Sequence, residues 1–265
     1  PRGVTFTGRS FAAPSGQREA LWIAPENPKA NSVILYLHGG AFIFGSPDTH
    51  RAMLAKLAQL SGSMACLPRY RLAPEHPFPA GLDDALAAYQ DLFEQGYRAD
   101  QIILGGDSAG GGLALSLLHA LIADGQPLPA GVFCLSPLTD LTFSGKSWVY
   151  NAEREVLLTA ERASELVAMY LGQNDATDPR ASPLFGDFTG VPPIYLTVGD
   201  SEILLDDTLR MAEKLRQCGV DVSCDVAQDL PHVWPLCQGL LPEADASLAQ
   251  IADWIVARLR VQADS

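Results

Sequence analysis

Short apolar runs ending in Gly or Pro alternate along the chain with longer stretches that carry apolar residues at helical spacing. Residues 32–37 (SVILYL), 101–104 (QIIL), 132–135 (VFCL) and 194–198 (IYLTV) are apolar without a period of two, which predicts strands buried on both faces. Residues 64–67 and 220–226 predict weaker strands, and 20–24 is strand-like as well. Between them, 51–60, 81–93, 109–122, 205–218 and 244–259 show the spacing of helices with one apolar face. This order predicts an α/β fold, a mostly parallel central sheet flanked by helices, in a single domain over 1–265. The alternation fails once, over 138–191. There a helical pattern at 159–171 sits between irregular segments rich in Ser, Asp, Gly and Pro, which predicts a helical lid inserted over the carboxyl ends of the strands. A crossover helix with long loops is the plainer alternative.

Composition narrows the partners. With 18 Lys and Arg against 31 Asp and Glu, the formal charge of −13 repels phosphate backbones and anionic lipid headgroups, so neither nucleic acid nor a membrane surface is expected. No apolar stretch approaches the roughly 20 residues of a membrane span. The five cysteines, Cys66, Cys134, Cys218, Cys224 and Cys237, are odd in number and lack CxxC spacing. They are read as core thiols of a reducing, cytoplasmic compartment rather than as disulfides or zinc ligands.

The chemistry centres on Gly106-Asp107-Ser108-Ala109-Gly110, directly after QIIL and directly before a helical run. A nucleophile on a sharp strand-to-helix turn needs small residues two positions away on either side, so that its hydroxyl projects free of the sheet. A serine also needs a base, and the chain has five histidines. His119 lies eleven residues into the helix that Ser108 opens, about 16 Å away. His76 stands among prolines, His50 at a helix start as a surface or capping residue, and His38 at a Gly-rich strand end. His232, in the loop between the last strand and the final helix, is placed to swing over the sheet edge. The acid belongs after the preceding strand, where Asp200 and Glu202 compete: one orients the imidazole, the other caps the following helix. For the developing oxyanion, backbone amides at the glycine turn Gly39-Gly40-Ala41 and at Ala109 are the expected donors.

These residues, with HGGAF (38–42), YRLAPEHPFPA (70–80), GDSAGGGLAL (106–115), SPLTDLT (136–142), DPRASPL (178–184) and PHVW (231–234), make the chain resemble the bacterial hormone-sensitive lipase family of carboxylesterases, within the α/β-hydrolase fold. The resemblance spans nearly the whole chain. It implies Ser108 as nucleophile, His232 as base and the amides of Gly39, Gly40, Ala41 and Ala109 as the oxyanion hole; aligned on the residues that follow the family's acid, it favours Glu202 over Asp200. It implies a two-step hydrolysis of neutral small to medium acyl esters with neither metal nor organic cofactor, and a homodimer paired through the last strand. A lactone hydrolase with the same triad is the alternative, since 136–147 is similar to monoterpene lactone hydrolases of this family. A peptidase and a catalytically silent binding relative are the remaining ones. Two departures stand out: Ala41 replaces the third glycine of the usual HGGG run, and the strand-like 20–24 comes early, where relatives carry a longer helical cap. Either the chain is shortened or the cap is smaller; if shortened, the acyl pocket is expected to be more open than in relatives. Phe42, Phe143, Trp148, Tyr150 and Phe185 are the expected pocket lining.

Overall fold

In a computed structural model, which describes residues 2–28 and 31–263, eight strands form one sheet. Strands β1 (Val4–Ala13) and β2 (Gly16–Pro25) make an antiparallel hairpin, and β2 pairs antiparallel with β4 (Met64–Pro68). The rest of the sheet is parallel: β3 (Val33–Leu37), β5 (Ile102–Asp107), β6 (Gly131–Leu135), β7 (Ile194–Gly199) and β8 (Val222–Ala227) complete the order β1-β2-β4-β3-β5-β6-β7-β8.

Each central strand feeds two cores. Val33, Leu35 and Leu37 of β3 point to a cluster that includes Leu82 and Ala85 of α2 (Ala80–Glu94), Leu113 and Leu117 of α3 (Ser108–Ala123), and Met211 and Leu215 of α6 (Leu205–Gln217). Ile34 and Tyr36 point the other way, to Met53 and Leu57 of α1 (Pro47–Ser61) and to Leu248, Ile251 and Ile255 of α7 (Pro242–Ala263). Apolar residues at consecutive positions are therefore required by burial on both faces.

The one strand without an advance signal is β1. Nearly all of it is exposed and only Phe11 is buried, so it carries no apolar pattern and is held by ten register pairs to β2. Strand β8 begins at Val222, because the Val220 N–H instead bonds back to the Leu215 carbonyl and closes α6. Residues 138–191 add no strand; they contain the short helices α4 (Ser147–Tyr150) and α5 (Ala160–Leu171) and a 3₁₀ turn at Pro183–Phe185. No described helix is long and apolar enough to cross a membrane. Cys66 and Cys134 are buried in the core, whereas Cys218, Cys224 and Cys237 lie at its partly exposed periphery, a correction to the reading of all five as core thiols.

Strand order decides where chemistry can gather. The chain runs from β3 outward to β4 on one side, then crosses back to place β5 on the other. The loops that leave the carboxyl ends of β3 and β5 diverge there, which opens a crevice between them. HGGAF leaves β3 and Ser108 leaves β5.

Candidate active site

Ser108 sits at φ 52° between strand and helix, a conformation that costs a non-glycine residue about 1–2 kcal/mol. The flanking glycines make it possible. A Cβ on Gly106 would lie 2.3 Å from the Gly110 carbonyl oxygen, and one on Gly110 would lie 2.1 Å from that of Leu37. Strain is concentrated here: among the described residues, all seven non-glycine positions with positive φ belong to the site or its supports, namely Ala41, Phe42, Ser108, Ser136, Phe143, Asp229 and Val233.

His232 reaches the same crevice from the loop after β8. Its Nδ1 lies 2.6 Å from Oε2 of Glu202, and both side chains are buried. The other oxygen of Glu202 accepts the Ser136 hydroxyl at 2.8 Å and the Gly199 N–H at 2.6 Å. Three donors from three segments thus converge on one carboxylate. With Nδ1–H donated to Glu202, Nε2 keeps a free lone pair, the tautomer a base requires. Burial opposes charge on the imidazole, but the hydrogen bond and the charge of Glu202 outweigh it and hold the pKa above its ordinary value. Ser108 and His232 line one pocket. No hydrogen bond joins them in this arrangement, as is common before a substrate closes the contact.

Asp200 lies elsewhere. It accepts the Asp229 N–H at 2.9 Å and pairs with Arg154 at 3.6 Å, and Arg154 also reaches Asp229 at 3.5 Å. It ties the acid loop to the histidine loop without touching the imidazole. Beneath both, the buried Asn151 donates its amide to the carbonyls of Asp200 and Glu202.

The glycine turn faces Ser108 across the crevice. A Cβ on Gly40 (φ 124°) would fall 2.1 Å from the Phe44 carbonyl oxygen, so the turn closes only with glycine there. The Gly40 and Ala41 amides donate to no described group, and the Ala109 amide lies in the first turn of α3, where no intrahelical acceptor exists. The YRLAPEHPFPA stretch holds this turn. Tyr70 donates its hydroxyl to the His38 carbonyl at 2.6 Å, the Ala73 N–H bonds the Phe42 carbonyl at 2.9 Å, and Arg71 forms a two-pronged pair with the buried Asp84, both contacts at 2.9 Å.

The pocket has a volume of about 680 Å³. Leu138, Phe143, Trp148, Leu158, Leu166, Val167, Ile203 and Leu204 give it apolar walls, several of them from the 138–191 segment. Asp207 anchors that segment: its buried carboxylate accepts the backbone N–H groups of Thr139 and Asp140 and the Trp148 indole. A family model described as alpha/beta hydrolase fold matches residues 34–236. A solved structure of an esterase from the bacterial hormone-sensitive lipase family superposes with a TM-score of 0.91 at 39% identity, covering 96% of this chain and 85% of that one.

This chain belongs to the bacterial hormone-sensitive lipase family of α/β hydrolases.

The hydrolase is also 39% identical over 228 residues to an acetyl-hydrolase of Streptomyces hygroscopicus, covering 86% of this chain and 76% of that protein. It is 38% identical over 226 residues to an esterase of Acinetobacter venetianus, covering 85% and 75%.

Several expected site residues of the hydrolase stand differently from the sequence reading. Phe42, Phe143 and Trp148 line the pocket, but Tyr150 and Phe185 do not. Tyr150 turns out to solvent and donates to Asp206, and Phe185 borders a separate surface cleft beside Leu209. Gly39 lies in the turn, yet its N–H is already donated to Asp107 at 2.9 Å and is not available to an oxyanion. His38 is neutral; burial lowers its pKa to about 4, and Nδ1 donates to the Gly39 carbonyl. His50 is not the surface residue its helix-start position predicts. It is buried, with Nε2 3.1 Å from Oδ2 of Asp107. Ser136, the first residue of SPLTDLT, and Asn151, outside any motif, both bind Glu202 and carried no signal of it in the sequence.

Proposed function

We infer that this hydrolase is a serine carboxylesterase in which Ser108 is the nucleophile, His232 the general base and Glu202 the acid that orients it. Ser108 Oγ attacks the ester carbonyl carbon as His232 Nε2 accepts its proton. The negative charge collects on the carbonyl oxygen, where the amides of Gly40, Ala41 and Ala109 receive it. Collapse expels the alcohol, which takes the proton back from the imidazolium and leaves an acyl-enzyme. Water then attacks with His232 again as base, and the carboxylic acid departs. The observation that carries this reading is the His232–Glu202 contact at 2.6 Å in the wall of a pocket that also contains Ser108. The relatives named acetyl-hydrolase and esterase agree with it.

The apolar walls suit neutral acyl chains of small to medium length. Residues 138–191 act as the lid that shapes that pocket, since Phe143, Trp148, Leu158 and Leu166 all come from it. The outer edge of β8, unpaired among the described residues, is the edge through which two copies would pair. Ser108→Ala tests the assignment. Turnover of p-nitrophenyl esters falls to background while the thermal unfolding midpoint stays near that of the unmodified protein; an unchanged rate overturns the reading.

A further inference from the structure

Directly behind the nucleophile lies a second histidine–carboxylate pair that the triad chemistry does not use. Asp107 precedes Ser108 in the chain and is fully enclosed. Its Oδ1 accepts the Tyr36 hydroxyl at 2.9 Å and the Gly39 N–H at 2.9 Å, and His50 Nε2 stands 3.0 Å from the same oxygen and 3.1 Å from Oδ2. A buried carboxylate with no countercharge is costly, and His50 is the cation within reach.

The protonation of His50 is set by its partners. With the Thr49 hydroxyl proton on the Ser46 carbonyl at 2.7 Å, Oγ1 presents only lone pairs to His50 Nδ1, 2.8 Å away. The other neighbour of Nδ1 is the Ser46 carbonyl oxygen at 3.4 Å, again an acceptor. Nε2 faces a carboxylate. With the Thr49 hydroxyl turned to Ser46 both ring nitrogens donate and the ring is an imidazolium; turned to Nδ1 it would suit a neutral ring, and the buried Asp107 carboxylate, which needs a countercharge, selects the first arrangement.

We propose that His50 is a positioning residue whose imidazolium holds the Asp107 carboxylate on the Gly39 N–H and so locks the oxyanion turn against the Ser108 elbow, an inference that rests on reading Ser108 as the nucleophile. The contact is tight. A Cβ on Gly39 would fall 2.2 Å from Asp107 Oδ2, so the turn lies directly against the carboxylate that holds its N–H. The next two residues, Gly40 and Ala41, carry the free amides. Misplacing oxyanion donors by about 1 Å costs on the order of 10²-fold in rate.

The electrostatics of the nest agree with this assignment. Burial works against the His50 charge, but the Asp107 charge and hydrogen bond outweigh it and raise the imidazole above its ordinary value. Burial likewise opposes ionisation of Asp107, but His50 and the hydrogen-bond donors hold its carboxyl below the usual range. The other titratable groups facing the pair are His38, whose ring centre is 5.7 Å from that of His50, and Tyr36, at 6.1 Å. Tyr70 packs behind His38. Burial keeps His38 and both tyrosines uncharged, and His232 with its partner Glu202 lies across the pocket. Loss of the His50 proton at alkaline pH removes the countercharge to Asp107, so kcat falls there.

Nitrogen-15 NMR of the histidine-labelled protein, with His50→Gln for assignment and kinetics, tests this. Both His50 nitrogens read as protonated at neutral pH, and His50→Gln lowers kcat by about 10- to 100-fold with KM within about twofold, since the oxyanion exists only in the transition state. The alkaline limb of the kcat profile, present in the unmodified protein, is absent from the variant. A loss of folded protein alone would leave that limb in place. The effect of His50→Gln combined with Asp107→Asn falls short of the product of the two single effects, because the two residues act as one unit. A neutral His50 ring, or a His50→Gln variant with unchanged kcat and pH profile, overturns the proposal. An inactive Ser108→Ala alongside such a variant would leave the nucleophile reading standing by itself. Should His50→Gln fail to fold, the NMR reading on the unmodified protein decides alone.

Discussion

Replacing Glu202 by Gln exchanges one carboxylate oxygen for an NH₂ group, and the three partners of that carboxylate set the consequence. On one side, the Ser136 hydroxyl and the Gly199 N–H require an acceptor at 2.8 and 2.6 Å. The amide oxygen therefore settles there, and the NH₂ group faces His232 Nδ1. That nitrogen must then accept, which moves the ring proton to Nε2, the atom that has to take the Ser108 proton. The flipped amide restores the correct tautomer but leaves the buried Gly199 N–H without an acceptor, at a cost of about 1–3 kcal/mol. Only the fraction of molecules in that orientation remains competent, which alone gives about a 5- to 150-fold loss. Loss of the negative charge that stabilises the imidazolium adds to it, toward the roughly 10⁴-fold drop seen when a triad carboxylate becomes an amide. The assay is kcat on a p-nitrophenyl ester, with Asp200→Asn as the parallel variant and thermal unfolding as the check on folding. Glu202→Gln within threefold of the unmodified rate, or a large loss confined to Asp200→Asn, would refute the reasoning.

Two further outcomes are expected. Because the Glu202 hydrogen bond and charge outweigh burial and raise the His232 pKa, the base becomes competent only at a pH above the ordinary imidazole value; the acid limb of kcat/KM lies above 6.5 and moves down in Glu202→Gln, and a limb at or below 6.5 in the unmodified protein contradicts this. Arg71→Ala leaves the fully buried Asp84 with the residue-71 backbone N–H at 2.9 Å and Arg18 at 3.6 Å but without its two-pronged guanidinium, and lowers the unfolding free energy by about 3–5 kcal/mol in urea titration; a change under about 1 kcal/mol would contradict this.

The parts of the fold legible in the sequence were those whose burial is recorded locally. Strands β3, β5, β6 and β7 are enclosed on both faces, and each records that enclosure as consecutive apolar residues, interrupted in β7 by Thr197 and followed in β5 by Gly105, Gly106 and Asp107. Strand β1 is an exposed edge whose position comes from its partner, so residues such as Thr5, Thr7 and Arg9 announce nothing. The same division runs through the site. Ser108 is legible because the strand, the two small flanking residues and the helix are contiguous. Glu202 and Asp200 are two residues apart on one turn, and nothing local separates them; what does is the convergence of Ser136, Gly199 and His232 on one carboxylate. His50 reads as a helix-start residue because its partner Asp107 is 57 positions away. Tyr150 and Phe185 fail as pocket residues for a related reason: short turns set their directions, and aromatic character alone says nothing of which way a turn points.

The most direct measurement is labelling with a p-nitrophenyl phosphonate, combined with mass spectrometric mapping of the modified peptide. One equivalent is expected on Ser108, with labelling slowed by orders of magnitude in His232→Ala and in Glu202→Gln. A stoichiometric label on any other side chain, or a folded protein that takes none, would contradict the assignment of the nucleophile and of the groups that activate it.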